Sequence, residues 1–207
     1  MAERKDILLA GVGGQGVLLA SKLLGEAALA SGHNVMMGEV HGMAQRGGSV
    51  QCTVRIGDVH GPLIHKADVL VGFEPVEAIR AAGYVRADTC VVLNVTPIIP
   101  FTVSLGAEEY PSVDRIVAAL SKISDMVLPV EATKIAENQG GAIAANMVML
   151  GTVIGTGVLP ISRETARATL KRGVSQLYLE LDLGAFDAGW SVGSTWRLGK
   201  PTLPPTH

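Results

Sequence analysis

A short apolar run, Ile7 to Ala10, leads directly into Gly11-Val12-Gly13-Gly14-Gln15-Gly16. Behind it comes a stretch from Gln15 to Ala30 whose only charged residues are Lys22 and Glu26. An apolar run bounded by glycines reads as a buried strand, and the longer segment as a helix. The glycines permit a tight turn and close backbone approach between them. A strand, glycine turn and helix in that order commit the chain to an α/β architecture with helices crossing between strands of a mostly parallel sheet.

Further apolar runs keep the alternation. Strands are expected at Asn34 to Gly38, Val69 to Gly72, Cys90 to Val95 and Met126 to Val130. Helices are expected after Glu74-Pro75, with proline at the helix start and Gly83 as the stop, and at Val113 to Ser121. One segment breaks the rhythm. Val50, Cys52 and Val54 alternate with Gln51, Thr53 and Arg55, the period of a half-exposed strand. Gly57-Asp58 reads as a turn and Val59 to Ile64 as a return strand, so a β-hairpin is expected where a doubly wound fold would carry a helix. The fold class is therefore α/β: a Rossmann-like, mostly parallel sheet with flanking helices and an inserted β-hairpin.

The segment Ala142 to Thr156 is apolar on every face and predicts a helix buried all round. Gly151 and Gly155 on it would let another backbone approach closely. Ser162 caps a last helix, with Glu164 in its first turn and Lys171-Arg172 further along, as the helix dipole favours. The chain divides into one domain over 1–183 and a tail over 184–207. The tail carries both tryptophans, Trp190 and Trp196, and is expected to be extended.

Composition narrows the function. Of 207 residues, 17% are charged, 48% are hydrophobic and 25 are glycine, with a net charge of −2. Ordinary domains carry about a quarter charged residues and roughly 7% glycine. Such hydrophobicity excludes disorder, and the charge balance argues against binding nucleic acid through its phosphates. Two uncharged stretches approach membrane length, but prolines and asparagine break Thr89 to Ala107. The helical part of Asn138 to Ser162 falls short of the ~20 apolar residues a bilayer needs. The charged Met1 to Asp6 does not read as a signal peptide. A cytoplasmic protein is expected, with Cys52 and Cys90 as buried thiols.

The glycine loop fits G-x-G-x-x-G, and Glu39 lies about 20 residues beyond it, where a ribose-binding acid would end the second strand. Three readings stay open: a dinucleotide site, a tight turn that binds nothing or phosphate weakly, and a site for another nucleotide-like ligand such as coenzyme A. The stretch Glu39 to Ser49 is the most polar and glycine-rich, and it follows the second strand. It should therefore place His41, Gln45 and Arg46 at the carboxyl edge of the sheet, where open α/β sheets bind ligands. Arg46 either presents its guanidinium to a phosphate or carboxylate or pairs with Glu39. Candidate contacts are thus Gly11, Gly13, Gly14, Gln15, Gly16, Glu39, His41, Gln45, Arg46, Gly47, Gly48 and Ser49. The histidine spacing matches no common metal set, Asn146 reads as a satisfied core or interface group, and no catalytic constellation is found.

Three segments carry a resemblance. Ile-Leu-Leu-Ala-Gly-Val-Gly-Gly-Gln-Gly-Val-Leu-Leu-Ala-Ser-Lys-Leu-Leu at 7–24, Gly-Met-Ala-Gln-Arg-Gly-Gly-Ser-Val at 42–50 and Ala-Asn-Met-Val-Met-Leu-Gly at 145–151 together resemble the gamma-type subunit of 2-oxoacid:ferredoxin oxidoreductases. The match is nearest to the beta subunit of the indolepyruvate branch and covers about residues 4–183. The resemblance implies a non-catalytic subunit of an enzyme that oxidatively decarboxylates a 2-oxoacid, here an aryl pyruvate, to acyl-CoA while reducing ferredoxin. It puts thiamine diphosphate and the iron–sulfur clusters on a larger alpha subunit, leaving no tightly bound cofactor on this chain. It makes coenzyme A the co-substrate approached by Gly13, Gly14, Gln15, Gly16 and the loop from Gln45 to Ser49. Two cysteines are too few for the four thiolates of a cubane cluster, which agrees. Charge-poor helices at 15–30 and 142–156 suggest surfaces covered by another chain, or self-association of the isolated subunit. The alternatives are a free-standing NAD(P)- or flavin-binding oxidoreductase and a homo-oligomeric binding protein. The hairpin argues against the first.

Overall fold

The computed structural model describes residues 4–41, 47–99, 103 and 109–199. Strand β1 (Lys5–Val12) is followed by α1 (Val17–Ala30), β2 (Val35–His41) and β3 (Ser49–Ile56). Then come β4 (Val69–Gly72), α2 (Pro75–Arg80), β5 (Cys90–Asn94), α3 (Val113–Ser121) and β6 (Met126–Val130). Four helices close the chain: α4 (Ala132–Asn138), α5 (Ala145–Gly155), α6 (Arg163–Gly173) and α7 (Leu179–Leu198). Among the described residues the strands form one sheet in the order β2-β3-β1-β4-β5-β6. β1, β4, β5 and β6 pair in parallel, whereas β3 is antiparallel to both of its neighbours. The sheet is mostly parallel, as the alternation predicts.

The inserted hairpin differs from expectation in its second arm. Ser49–Ile56 is a strand, but its hairpin partner is the preceding β2, with Val35 opposite Ile56 and His41 opposite Val50. Residues 59–64 form no strand. Pro62, which has no N–H to give a ladder, packs its ring over Gly38, and its carbonyl accepts the Thr53 hydroxyl at 2.9 Å. The Gly61 carbonyl takes the Arg55 guanidinium at 2.6 Å. β2 also runs on to His41, so Glu39 and His41 lie within the strand rather than after it.

Both faces of the sheet are covered. Ile7, Leu9, Cys52, Val54, Val71 and Val92 point to the side of α1 and α5. Leu8, Ala10, Leu70, Val91 and Leu93 point to α2 and α3 through Ile116 and Leu120. Helix α5 is buried from Asn146 to Gly155, as its unbroken apolarity predicts. Ser162 caps α6, its hydroxyl accepting the Thr165 amide at 3.1 Å.

The C-terminal region corrects the extended tail. Residues 179–198 form a 20-residue helix, so α6 is not the last one and no change of conformation occurs at residue 184. Residues 200–207 lie outside the described residues. Gly184, Gly189 and Gly193 look like helix breakers in sequence; here Gly189 and Gly193 are contact points. A Cβ on Gly189 would stand 2.0 Å from the Val148 carbonyl oxygen, and one on Gly193 would stand 2.1 Å from that of Thr152. On α5, a Cβ at Gly151 would meet the Phe186 carbonyl at 2.0 Å and one at Gly155 that of Trp190 at 2.3 Å. The two helices run parallel with backbones in contact, and the approach read from Gly151 and Gly155 finds its partner in α7. Trp190 and Trp196 pack against the core, and the Arg163 guanidinium sits 4.3 Å from the Trp190 ring centre.

Candidate functional site

The carboxyl ends of the parallel strands gather the three segments whose motifs stand out in the sequence. At the end of β1 the chain turns through Gly14 (φ 108°) and Gly16 (φ 75°), values that favour glycine. The Gly13 amide donates to the Gly48 carbonyl at 2.8 Å and the Gly47 amide returns to the Gly13 carbonyl at 3.2 Å. This joins the glycine loop to the start of β3. From the third segment comes Asn146: a Cβ on Gly16 would stand 2.3 Å from its amide nitrogen. Buried Asn146 also accepts the Met147 amide at 3.0 Å, so it belongs to the packing under the loop.

Gln15 is spent on holding the turn. Its Oε1 accepts the Val12 amide at 2.8 Å and its Nε2 donates to the Phe73 carbonyl at 2.9 Å. That carbonyl, at the end of β4, also accepts from the Asn94 amide at 3.2 Å, so one oxygen gathers the ends of β1, β4 and β5. A Cβ on Gly11 would press on Val17, Gln15 and Phe73 at 2.8 to 2.9 Å. The crevice between β1 and β4 is the switch point where such sheets bind ligands, and here Gln15 and Phe73 fill it. What stays open is the outer rim. Gly14 is exposed with nothing within 4 Å of a Cβ position. The first turn of α1 carries no acidic residue, so its unpaired amides present positive potential.

Glu39 is elsewhere. β3 lies between β2 and β1, so Glu39 stands two strands from the glycine loop, about 10 Å by strand spacing. In a dinucleotide fold the acid would stand one strand away. Glu39 instead lines a surface groove of about 350 Å³ with Leu18, Lys22, Met37 and Cys52. Burial, with the nearby Glu39 charge adding to it, pushes the Cys52 thiol up, which disfavours a reactive thiolate. His41 ends β2 opposite Val50. Gln45 and Arg46 lie outside the described residues, and with them the pairing of Arg46 with Glu39. Gly47, Gly48 and Ser49 lie beside Gly13.

Sequence reasoning missed two carboxylates beneath this rim. Glu74 and Glu77 are buried at the start of α2. Glu74 accepts the Glu77 amide at 3.0 Å, the Ile98 amide at 3.2 Å and the Tyr110 hydroxyl. Burial and that carboxylate push the Tyr110 phenol up, so it stays a protonated donor. Glu77 accepts from the Ser49 hydroxyl and from Arg80, each at 2.5 Å. The signal was present as Glu74-Pro75-Val76-Glu77, in which only the helix start was read. Among the described residues no three metal-ligating side chains cluster, and no helix is long and apolar enough to cross a membrane.

Known proteins match the chain in sequence and fold. The family model described as pyruvate ferredoxin/flavodoxin oxidoreductase matches residues 6–192. A curated relative, the indolepyruvate oxidoreductase subunit IorB of Archaeoglobus fulgidus, is 41% identical over 196 residues, covering 94% of this chain and 98% of its own. The gamma subunit of a keto/oxoacid ferredoxin oxidoreductase from Geobacter sulfurreducens superposes with TM-score 0.67 at 23% identity, covering 92% of this chain and 99% of that one. The 2-oxoglutarate:ferredoxin oxidoreductase from Magnetococcus marinus, solved with 2-oxoglutarate, coenzyme A and succinyl-CoA bound, superposes with TM-score 0.71 at 19% identity. There the likeness covers 94% of this chain but 32% of the other. The last two establish the shared fold, and the family model and the curated relative establish descent: the chain belongs to the pyruvate ferredoxin/flavodoxin oxidoreductase family.

Proposed function

We propose that this chain is the non-catalytic subunit of an indolepyruvate-type 2-oxoacid:ferredoxin oxidoreductase. The complex would convert an aryl pyruvate and coenzyme A to arylacetyl-CoA and carbon dioxide, passing two electrons to ferredoxin. The observation that carries this reading is the meeting, at one rim of the sheet, of the glycine loop, the Gly47–Ser49 end of the second motif and Asn146 of the third. Identity to the IorB subunit over nearly the whole chain supports the substrate class.

The chain's own residues suit the phosphate-bearing end of coenzyme A. Gly14 leaves the rim open to close approach. The amides at the start of α1 supply donors and a favourable dipole without an opposing carboxylate. Arg46, which precedes Gly47 in the sequence, is the candidate cation. Decarboxylation and electron transfer are assigned to thiamine diphosphate and iron–sulfur clusters on a larger alpha subunit. Both cysteines of this chain are buried in strands, one in β3 and one in β5. The apolar side chains that flank the rim, Leu18, Leu19, Val40 and Ile143, are exposed here and suit coverage by that subunit. We place the complex in the cytoplasm.

The test is reconstitution with the large subunit. Arg46→Ala in the assembled enzyme should raise KM for coenzyme A about tenfold, a charge-assisted hydrogen bond's worth, and leave thiamine binding unchanged. An unchanged KM rejects the assignment of Arg46.

A further inference from the structure

The Ser49 hydroxyl belongs to the motif at the rim, yet its proton is directed inward. It donates to Glu77 at 2.5 Å, and a hydroxyl has one proton to give. While that bond holds, Ser49 cannot also donate to a phosphate oxygen. Glu77 is only 3% exposed, and it is fixed through both its side chain and its amide. Arg80 neutralises it at 2.5 Å, its own amide donates to Glu74 at 3.0 Å, and Glu74 is held by Ile98 and Tyr110. On the other side, Ser49 opens β3 directly after Gly47 and Gly48, whose backbones exchange hydrogen bonds with Gly13. A continuous line of bonds thus runs from buried helix α2 through one serine to the glycine loop.

We propose that Glu77 is a positioning residue for the glycine loop, acting through Ser49, and that Ser49 is its tether rather than a phosphate contact. The loop is rich in glycine, so its backbone has unusual freedom to lose. An anchor outside the loop fixes it without placing a bulky side chain at the rim. The significance for turnover rests on the coenzyme A reading above; the tether itself does not.

The experiment uses the assembled complex with Glu77→Ala, Glu77→Gln, Ser49→Ala and the Glu77→Ala/Ser49→Ala double variant. Amide hydrogen exchange is followed in peptides covering 11–17 and 47–50, with β5 and β6 as internal reference, beside KM and kcat for coenzyme A. Both alanine variants should speed exchange in the two loop peptides about tenfold, with β5 and β6 unchanged. KM should rise with little change in kcat. The double variant should equal either single one, because the two residues act as one unit. Glu77→Gln, whose amide oxygen still accepts from Ser49, should keep most of the parent's slow loop exchange and low KM. Unchanged loop exchange in Ser49→Ala, a variant at an exposed position, overturns the proposal even if Glu77→Ala fails to fold. Additive effects of the two substitutions overturn it as well. Faster loop exchange with unchanged KM supports the tether and places the failure on the coenzyme A reading.

Discussion

Gln15 reads in sequence as one of four small or polar residues of a ligand loop, but in the folded chain it is a brace. Removing its side chain strands the Val12 amide and takes away one of two donors to the Phe73 carbonyl. Gln15→Ala should therefore cost about 1–3 kcal/mol, read as a lower midpoint in urea denaturation. Asp6 is the other residue with a determinate cost. It is 4% exposed at the far end of β1. Burial would push its carboxyl up, but hydrogen bonds from Arg4 and from Arg55, the latter at 2.8 Å, outweigh it and hold the group below the usual carboxylate range. A carboxyl depressed in the folded state stabilises fully above its unfolded value and loses that contribution as pH falls through the lower, folded one. Asp6→Asn should cost about 3 kcal/mol at pH 7. The gap to the parent protein should stay constant down to about pH 5 and shrink below about pH 4. Urea curves at pH 7, 5 and 3 check this.

Among the elements, the strands and α5 were legible because their signals are local: apolar runs for the parallel strands, unbroken apolarity for a buried helix. The pairing of β3 was not legible. Alternation identifies a half-buried strand but does not name its partner, and the following residues resembled a return arm until Pro62 is seen packed on Gly38. Helix α7 was missed for a related reason. Glycine lowers helix propensity by about 1 kcal/mol per residue, so Gly184, Gly189 and Gly193 argue locally for a loop. Contact with α5 overrides that preference. Gly151→Ala gives the measurable counterpart. In an ordinary helix it would stabilise by about 1 kcal/mol. Here a Cβ would stand 2.0 Å from the Phe186 carbonyl oxygen, a fixed backbone atom. The expected outcome is a loss of about 2 kcal/mol, or roughly 4–8 °C in Tm. A rise in Tm would show that α5 and α7 are not packed backbone to backbone.

At the scale of the whole molecule, the two sheet edges are unlike. β6 carries Pro129, which cannot donate to a further strand. β2 exposes Met37 and Val40, the latter to 69%, beside Leu18 of α1 at 45%. The flank next to the glycine loop thus exposes apolar side chains on both the edge strand and α1. In the Magnetococcus marinus enzyme the matching fold occupies about a third of a longer chain. On the proposed coverage of this flank by the large subunit, Leu18→Asp should lower recovery of that subunit by affinity co-purification at least several-fold, while the isolated chain keeps its circular dichroism spectrum. Of the site itself, sequence identified the segments that converge but not the roles within them. Gln15 and Ser49 look like ligand groups by residue type, and only the partners each one meets in the fold turn them inward; Asn146, read from sequence as a core group, is buried under the loop.

The central claim, that this chain completes an enzyme whose chemistry lies on another subunit, is tested most directly by reconstitution. The chain and its large subunit are purified separately and assayed alone and mixed for coenzyme A-dependent reduction of ferredoxin by indolepyruvate. Turnover only on mixing, saturating near one chain per large subunit, is the predicted result. Turnover by this chain alone, or full activity of the large subunit without it, would contradict the account.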